Sequence, residues 1–283
     1  MAAWCRKRAS SLIRARCAAS ALRSNSEGAL GAGKSISRNY RIWQRIQTAI
    51  EVVYPPRCIG CGEMAASDFG LCGPCWRETP FIGGTVCHSC GAPVPGSDDG
   101  HRIDCDDCLR RPQPWAEGRA ALLYQGRARS LILALKHGDR SELAKPAARW
   151  MAQAGRTLFR PDTVIAPVPL HWSRLLKRRY NQSALLSLQL GKETGLPVCP
   201  DLLIRKRRTP PLEGKTAAER ADTLRDAITV HPRRADRLKG RHVLLVDDVM
   251  TSGATLAACT HACREAGAAH ISVLVLARVA KDA

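Results

Sequence analysis

Two adjacent acids and a short hydroxyl-rich turn form the clearest chemical motif of the chain. Asp247 and Asp248 close a strand-length apolar run, and Thr251, Ser252 and Gly253 lead from them into a helical pattern. Backbone N–H groups at a helix start bind phosphate, and glycine lets the backbone approach it closely. Ionised carboxylates only accept hydrogen bonds, which suits them to neighbouring sugar hydroxyls. A single Asp here would be read as a helix cap, but the ordered set predicts a site for a phosphorylated sugar.

A second set of residues, with metal-binding chemistry, lies earlier in the chain. Eight of the thirteen cysteines fall as four Cys-x-x-Cys pairs. A two-residue gap lets both thiolates point at one ion, and two pairs complete the four-thiolate shell of a structural zinc site. Two structural Zn2+ ions are therefore expected. We favour sequential pairing of the four motifs, and an interleaved arrangement that joins the first pair to the third stays open. The predicted ligands are Cys58, Cys61, Cys72, Cys75, Cys87, Cys90, Cys105 and Cys108.

The composition narrows the class of protein. With 44 Lys or Arg against 25 Asp or Glu, the formal charge is +19, and 45% of the residues are apolar. That apolar fraction supports a core, and no run approaches the ~18 apolar residues of a membrane span. The positive charge attracts polyanions. Aromatic residues make up only 5% of the chain, which disfavours a base-stacking surface, and Trp76 and Trp115 are interpreted as packing residues.

Four segments are predicted along the chain. Residues 1–41 form a basic, disordered extension, and residues 42–56 form a short helix that stops at two prolines. Residues 57–112 hold the cysteine pairs and few large apolar side chains, so zinc is expected to supply much of their folding free energy. Residues 116–283 alternate strand-length apolar runs with helical patterns and form the main domain.

The alternation in the main domain predicts an α/β fold with a mostly parallel sheet. Runs that are apolar on both faces imply that helices cover the sheet on either side. Strands are expected at residues 119–124, 164–168, 198–204, 242–247 and 271–277, and helices at residues 128–137, 142–158, 183–194 and 254–266. The strand of residues 242–247 then ends in the two acids.

The acid-hydroxyl-glycine motif resembles the phosphoribosyl-pyrophosphate loop of type I phosphoribosyltransferases. The likeness widens to the ComF family of competence protein F-like, amidophosphoribosyltransferase-like proteins, which join a double zinc ribbon to such a domain. It covers roughly residues 50–280. The resemblance implies a type I phosphoribosyltransferase fold behind a small double zinc ribbon. Besides the cysteine pairs and the Asp-Asp motif, it rests on Leu135-Lys136-His137-Gly138, on residues 166–171, on Tyr180-Asn181-Gln182-Ser183, and on Arg205-x-Arg207-x-Thr209 leading to Glu219-Arg220.

The resemblance also implies a ligand and the residues that hold it. The ligand is phosphoribosyl pyrophosphate, bound with Mg2+ that the ligand's own oxygens hold in the main. Residues 205–211 resemble a lid that closes over the diphosphate and excludes water, with a solvated charged loop as the open alternative. The implied sugar-phosphate residues are Asp247, Asp248, Val249, Met250, Thr251, Ser252, Gly253, Ala254 and Thr255, and the implied pyrophosphate and lid residues are Lys136, Pro169, Arg174, Arg178, Arg205 and Arg207.

Two functional classes compete on this basis. In the first, the protein is a phosphoribosyltransferase that transfers phosphoribose to an unidentified nitrogen acceptor, in a role linked to DNA uptake and competence. No catalytic residue is assigned, because positioning and charge stabilisation would supply the catalysis. In the second, it is a non-catalytic factor in natural transformation that binds single-stranded DNA or a DNA-processing protein through the ribbon and its basic surface. A cytoplasmic location is expected, with an organelle transit peptide in the Arg-rich first 50 residues as the alternative.

Overall fold

A four-stranded parallel sheet forms the centre of the computed structural model, which describes residues 55–96, 100–137, 140–207 and 227–279. The sheet has the strand order β1-β6-β5-β2, and β3 pairs with β4 in a separate antiparallel pair. The predicted extension of residues 1–41 and nearly all of the predicted helix of residues 42–56 lie outside the described residues. The strands are β1 (Glu117–Leu123), β2 (Val164–Pro167), β3 (Leu203–Arg205), β4 (Ile228–Val230), β5 (His242–Met250) and β6 (His270–Arg278).

Helices connect the strands in the right order for an α/β fold. Short 3-10 helices at Ser141–Leu143, Arg156–Leu158 and Pro232–Arg237 accompany them. No helix of the described residues combines the length and apolar character needed to cross a membrane. The α-helices of the described residues are α1 (Gly73–Arg77), α2 (Asp106–Arg110), α3 (Gly126–His137), α4 (Ala144–Ala154), α5 (Trp172–Arg178), α6 (Gln182–Thr194) and α7 (Ala254–Glu265).

Side chains of the sheet alternate between two apolar cores. Val243 and Leu245 of β5 pack into one core, and Leu244 and Val246 pack into the other; all four are fully buried. Residues of α7, β3 and β4 complete the first core, and residues of α3, α4 and α6 complete the second. Both faces of the sheet are therefore covered, which is why its strands read as continuous apolar runs. This confirms the predicted α/β fold.

The strand that carries the two acids is longer than predicted. β5 continues past Asp247 as far as Met250, because Asp247, Val249 and Met250 stay paired with β6. Both acids consequently lie inside the last part of the strand rather than after it. The turn into α7 is shortened to residues 251–253.

Two other predicted elements were drawn too long. Residues 198–204 are not one strand: Val198 makes an isolated bridge to Ile165, and strand pairing begins only at Leu203. Pro200 interrupts the run, since it lacks an N–H group for a ladder hydrogen bond. The helix predicted at residues 142–158 is confined to α4 and flanked by 3-10 turns, with Gly155 as its C-cap.

The cysteine-rich segment contains two similar halves. In each half an antiparallel bridge, Arg57 with Met64 or Val86 with Pro93, closes a turn that carries the first Cys-x-x-Cys pair. The second pair lies at the start of a short helix, because α1 has Cys72 as its N-cap and α2 has Cys105. Each half thus brings one pair from a turn towards one pair from a helix start.

The cysteine-rich segment also covers the outer edge of β1. The N–H of Ile82 bonds to the carbonyl of Ala121, and the N–H of Gly118 bonds to that of His88. The approach is close, since a Cβ on Gly118 would lie 2.3 Å from the carbonyl oxygen of Ser89. Three of the cysteines, Cys87, Cys90 and Cys108, belong to the same apolar core as the sheet. The sheet therefore contributes to the core of this segment, beside the expected metal.

Candidate functional site

The two acids and the hydroxyl-rich turn lie where β5 passes into α7, at the carboxyl edge of the parallel sheet. Gly253 is the N-cap of α7 and has a φ of 78°, a left-handed conformation that favours glycine. Among the described residues, no side chain caps this helix start. The first-turn amides of a helix have no intrahelical acceptor, so they are available for an anion. Residues of the turn and the end of β5 line a small open cleft.

Asp247 is held by two hydrogen bonds. Its Oδ1 accepts from the hydroxyl of Ser183 at 2.7 Å and from the backbone N–H of Asp248 at 2.9 Å. Burial raises the pKa of Asp247 to about 7, and the neighbouring charge of Asp248 raises it as well. The two hydrogen bonds and the cation of Lys136 work in the opposite direction. A carboxyl with a raised pKa of this kind gains or loses its charge near neutral pH. Its capacity to accept hydrogen bonds from a ligand therefore depends on pH.

Asp248 faces a cation from another element. The ammonium of Lys136, near the end of α3, lies 3.2 Å from its Oδ2. The Lys136 and Asp248 side chains are 19% and 12% exposed, so the pair is largely shielded from solvent. The structure thus brings Lys136, which the family resemblance placed among the pyrophosphate residues, directly to the acids.

Side chains of the Tyr180-Asn181-Gln182-Ser183 motif donate hydrogen bonds to backbone carbonyls of two other motifs on which the family resemblance rests. Tyr180 donates through its hydroxyl to the carbonyl of Leu135 at 2.6 Å, and Gln182 donates to the carbonyl of Lys136 at 3.4 Å. Asn181 donates to the carbonyl of Val168 at 3.0 Å. Segments that lie far apart in the chain therefore form one assembly around the acids.

The remaining predicted pyrophosphate and lid residues lie on three different parts of the fold. Pro169 is buried and follows Val168, whose N–H bonds to the carbonyl of Val246 beside the acids. Arg174 and Arg178 lie on α5, which begins after the N-cap His171. Arg205 ends β3 and Arg207 follows it, exposed. Of the predicted lid, residues 208–211 lie outside the described residues.

Sequence reasoning missed two residues that hold the site. Ser183 was read only as part of a family motif, and no spacing along the chain connects it with Asp247. Arg278, at the end of β6, was not singled out at all. Its guanidinium donates to the carbonyls of Met250, Thr251 and Val279 at 3.3, 2.5 and 2.5 Å, and the side chain is buried. The signal in the sequence that could have predicted this role is a single Arg at the end of an apolar strand, because a buried cation needs several hydrogen-bond acceptors around it.

The eight paired cysteines gather into two clusters. The first cluster is Cys58, Cys61, Cys72 and Cys75, and the second cluster is Cys87, Cys90, Cys105 and Cys108. The Sγ atoms within each cluster lie within 4.8 Å of one another. Those of Cys61 and Cys72 are 3.6 Å apart, and those of Cys90 and Cys105 are 3.7 Å apart. Four Zn–S bonds of about 2.3 Å in a tetrahedron separate the sulfurs by about 3.8 Å. Each cluster therefore has the donor set and the size for a zinc ion, in the sequential arrangement.

The two tryptophans interpreted as packing residues differ in the structure. Trp115 is 3% exposed, in agreement with that interpretation. Trp76 lies on α1 in the first half of the cysteine-rich segment and is 53% exposed. One face of its ring contacts Phe81, with the ring centroids 4.3 Å apart. Trp76 thus leaves about half of its surface in solvent.

Comparison with family models matches both parts of the chain. A double zinc ribbon domain matches residues 49–109, and a phosphoribosyl transferase domain matches residues 183–283. The DNA utilization protein YhgH of Escherichia coli (strain K12) is 32% identical over 221 residues, which is 76% of this chain and 93% of that protein. The chain belongs to the ComF family. Competence protein F of Haemophilus influenzae is 29% identical over 229 residues, which is 78% of this chain and 96% of that protein.

Membership of the ComF family settles the fold class and the zinc-ribbon nature of the cysteine-rich segment. Among solved structures, the allosteric regulatory enzyme of purine biosynthesis matches with a TM-score of 0.34 and 17% identity, over 51% of this chain and 30% of that chain. An adenine phosphoribosyltransferase from Thermoanaerobacter pseudethanolicus matches with a TM-score of 0.33 and 16% identity, over 53% of this chain and 85% of that one. The assignment of a type I phosphoribosyltransferase-like fold rests on the family model and the parallel sheet rather than on these superpositions.

Proposed function

We propose that this ComF-family protein binds phosphoribosyl pyrophosphate with Mg2+ at residues 247–255. The observation that carries the proposal is the junction of β5 and α7, where two restrained carboxylates adjoin a helix start whose N-cap is Gly253. The amides of residues 253–255 and the hydroxyls of Thr251, Ser252 and Thr255 suit the 5-phosphate, and the carboxylates suit the ribose hydroxyls. A family model for phosphoribosyl transferases covers this same segment.

The surrounding side chains have distinct roles in this proposal. Ser183 fixes the orientation of the Asp247 carboxylate, and Lys136 fixes that of Asp248. Arg278 donates to the carbonyls at the start of the turn and so restrains its backbone. Pro169 restricts the backbone beside the acids. The site is therefore organised before the ligand arrives, which limits the entropy cost of binding.

Mg2+ fits the chemistry of this site. It takes oxygen ligands and usually keeps several waters while it binds phosphate oxygens. The carboxylates of Asp247 and Asp248 are the oxygen donors next to the proposed phosphate position. When bound with the ligand, Mg2+ would neutralise charge on the diphosphate. The proposed cations for the departing diphosphate are Arg174 and Arg178 on α5, Arg205 at the end of β3, and Arg207 just after β3.

Transfer of the phosphoribosyl group to a nitrogen acceptor is the reaction that such a site would support. Relatives named competence protein F and DNA utilization protein support a proposed role in competence and DNA utilization. Release of pyrophosphate from phosphoribosyl pyrophosphate, screened against a panel of nitrogenous acceptors, tests the transfer. Pyrophosphate release that depends on one acceptor supports a phosphoribosyltransferase. If the protein binds the ligand but releases no pyrophosphate with any acceptor, the result supports a binding function alone.

The two cysteine clusters are the proposed sites of two structural zinc ions. Their thiolates would hold the two turns and the two helix starts together. Zinc in closed four-thiolate sites stabilises small domains that lack a large apolar core. The metal would then also hold the ribbon against the edge of β1.

A second candidate function is the binding of single-stranded DNA. The observation that favours it is Trp76, half exposed on the ribbon with Phe81 behind its ring. Arg233, Arg237 and Lys239 add exposed positive charge around the 3-10 helix before β5. Exposed aromatic rings stack on bases and cations attract the phosphate backbone. The net charge of +19 points the same way.

Thermal unfolding tests the main proposal. Phosphoribosyl pyrophosphate with Mg2+ should raise the Tm of the protein, because a ligand that binds only the native state stabilises it. The double variant Asp247→Asn with Asp248→Asn should lose that rise. Asp236→Asn, an exposed acid on the 3-10 helix, is the matched control and should keep it. A double variant that shifts as much as the parent would exclude these carboxylates from the site.

A further inference from the structure

Trp115 contacts both the turn that carries Cys87 and Cys90 of the second cysteine cluster and the turn of residues 251–253. Its indole Nε1 donates a 2.6 Å hydrogen bond to the carbonyl of Ser89, which lies between the paired Cys87 and Cys90. The far edge of the ring lies against the turn, because a Cβ on Gly253 would stand 2.8 Å from Cη2 of Trp115. The side chain is 3% exposed and packs in the apolar core. One buried ring thus connects a metal-binding turn with a helix start.

Ser89 is fixed on its other sides. Its N–H donates to Oδ1 of Asp104 at 3.0 Å, and its hydroxyl accepts from Arg102 at 2.9 Å. Asp104 directly precedes Cys105, so both halves of the second cluster bear on Ser89. Its carbonyl also lies against the backbone of β1, where only Gly118 leaves it room. Movement of the cysteine turn therefore moves the acceptor of the Trp115 hydrogen bond.

Gly253 receives this contact at a position with little freedom. Its left-handed backbone and its place as N-cap of α7 fix the direction in which the turn leaves β5. A Cβ there would also lie 3.2 Å from Oε1 of Gln113. Gln113 and Trp115 belong to the segment that joins the zinc ribbon to β1, and this segment forms a wall beside the turn. The position of the wall limits the positions available to the turn.

We propose that the second cysteine cluster positions the turn of residues 251–253 through Trp115, so that metal in this cluster favours one conformation of the turn. Trp115 is a positioning residue in this proposal, since it touches the turn and the metal-binding knuckle rather than the acids. Any effect of this coupling on the affinity for phosphoribosyl pyrophosphate rests on the proposed function. The coupling between the cysteine cluster and the turn does not. Coupling of two sites is reciprocal, so a change in the turn must also alter metal retention.

A four-protein cycle tests the proposal from the metal side. Amide hydrogen exchange of the peptide covering residues 248–256 is measured in the parent, Cys90→Ser, Trp115→Phe and the double variant, without ligand. Each single variant should raise the exchange rate of this peptide by about fivefold or more. The exchange rate of the double variant should be no higher than that of either single variant, because both substitutions break the same connection. Additive effects of the two changes would overturn the proposal, because Trp115 would then only fill space.

Matched variants control for general loss of packing or metal. Trp150→Phe removes a different indole, and Cys61→Ser removes a thiolate from the first cluster. Both should leave exchange of the peptide covering residues 248–256 within about twofold of the parent. An increase in Cys61→Ser equal to that in Cys90→Ser would also overturn the proposal, since the effect would not be specific to the second cluster.

A variant of the turn tests the reverse direction and retains all eight cysteines. Gly253→Ala places a methyl group against Trp115, while the control Gly267→Ala introduces the same kind of backbone strain, at a φ of 93°, where the nearest atom is Lys239 Cγ at 3.5 Å. Zinc release to a chelating dye should show one of the two ions leaving about fivefold faster in Gly253→Ala and neither in Gly267→Ala. Parent-like release from Gly253→Ala would contradict the coupling.

The coupling and the proposed function can fail separately. If the parent does not bind phosphoribosyl pyrophosphate while the exchange cycle is non-additive, the proposed function fails and the coupling stands. If the ligand binds and the cycle is additive, the proposed function stands and the coupling fails. Neither the exchange nor the zinc-release measurement requires the ligand.

Discussion

Lys136 places its ammonium 3.2 Å from Oδ2 of Asp248, although α3 and β5 are more than one hundred residues apart in the chain. The pair joins the end of a helix to the tip of the strand that carries both acids. Tyr180 and Gln182 support the same helix end by donating to the carbonyls of Leu135 and Lys136. The cation therefore has a fixed position, and the carboxylate it faces has a fixed orientation.

Loss of this cation should destabilise the fold. We expect Lys136→Met to lower the free energy of unfolding by about 1–3 kcal/mol, because it leaves a largely buried carboxylate without its partner. Urea denaturation followed by circular dichroism measures the change. Lys192→Met, an exposed position on α6, should change little. Equal unfolding midpoints in the two variants would contradict a structural role for the ion pair.

Asp247 should make the stability depend on pH near neutrality. Burial raises its pKa from 3.8 to about 7, so between these values the folded protein binds a proton that the unfolded chain has already lost. Stability contributed by this group is complete at low pH and is lost as the pH rises through about 7. We expect Asp247→Asn to lose less stability than the parent between about pH 5 and about pH 8. Parallel stability profiles for the two proteins would show that Asp247 does not titrate in this range.

The hydroxyl of Ser183 should keep Asp247 available as an acceptor. Its hydrogen bond lowers the pKa of Asp247, so Ser183→Ala should raise that pKa further. Affinity for Mg2+ and phosphoribosyl pyrophosphate should then fall at pH 7 and recover in more alkaline buffer, as measured by calorimetry. Ser187→Ala, which removes another buried serine hydroxyl from α6, is the control. A loss of affinity that does not change with pH would point to a steric effect instead.

Much of the fold could be predicted from the sequence because its signals are local. Runs that are apolar on both faces predicted the parallel sheet, and a hydroxyl- and glycine-containing turn before a helical pattern predicted the start of α7. The predicted bounds were wrong where hydrogen-bond pairing between strands determines where a strand begins or ends. β5 extends through Asp247 because β6 continues beside it, and the run at residues 198–204 is broken by Pro200 despite its apolar side chains.

The site was only partly predictable for the same reason. The acids, the turn and the cysteine pairs are each contiguous patterns whose chemistry can be read directly. Ser183, Arg278 and the link from Trp115 to Ser89 join positions that no spacing connects. A tertiary contact between a hydroxyl and a carboxylate leaves no periodic signal in one sequence. Trp76 was interpreted as a packing residue, and its exposure follows from its place on a short helix at the surface.

Removal of zinc should affect more than the ribbon. Elemental analysis should find about two zinc ions per chain, since each cluster offers four thiolates. Stripping them with a strong chelator should unfold the ribbon and uncover the edge of β1, which other chains can then pair with. Light scattering should report aggregation on chelation, and restored zinc before unfolding should prevent it. Protein without zinc that stays folded and monomeric would contradict the metal assignment.

Binding of single-stranded DNA, the second candidate function, should depend on Trp76. Trp76→Ala should weaken binding of an oligonucleotide by about 1–3 kcal/mol, as expected for loss of one stacked base, without changing the salt dependence. Fluorescence anisotropy across a series of salt concentrations measures both quantities. Met64→Ala, another exposed apolar residue of the ribbon, is the control. Binding that is insensitive to salt, or equal in both variants, would argue against this second candidate.

Crystals of the protein grown with Mg2+ and phosphoribosyl pyrophosphate provide the most direct test of the central claim. The proposal predicts the ribose hydroxyls against the carboxylates of Asp247 and Asp248, and the 5-phosphate on the amides that begin α7. Electron density for the ligand elsewhere, with these carboxylates still bonded to Ser183 and Lys136 and not to the ligand, would contradict it.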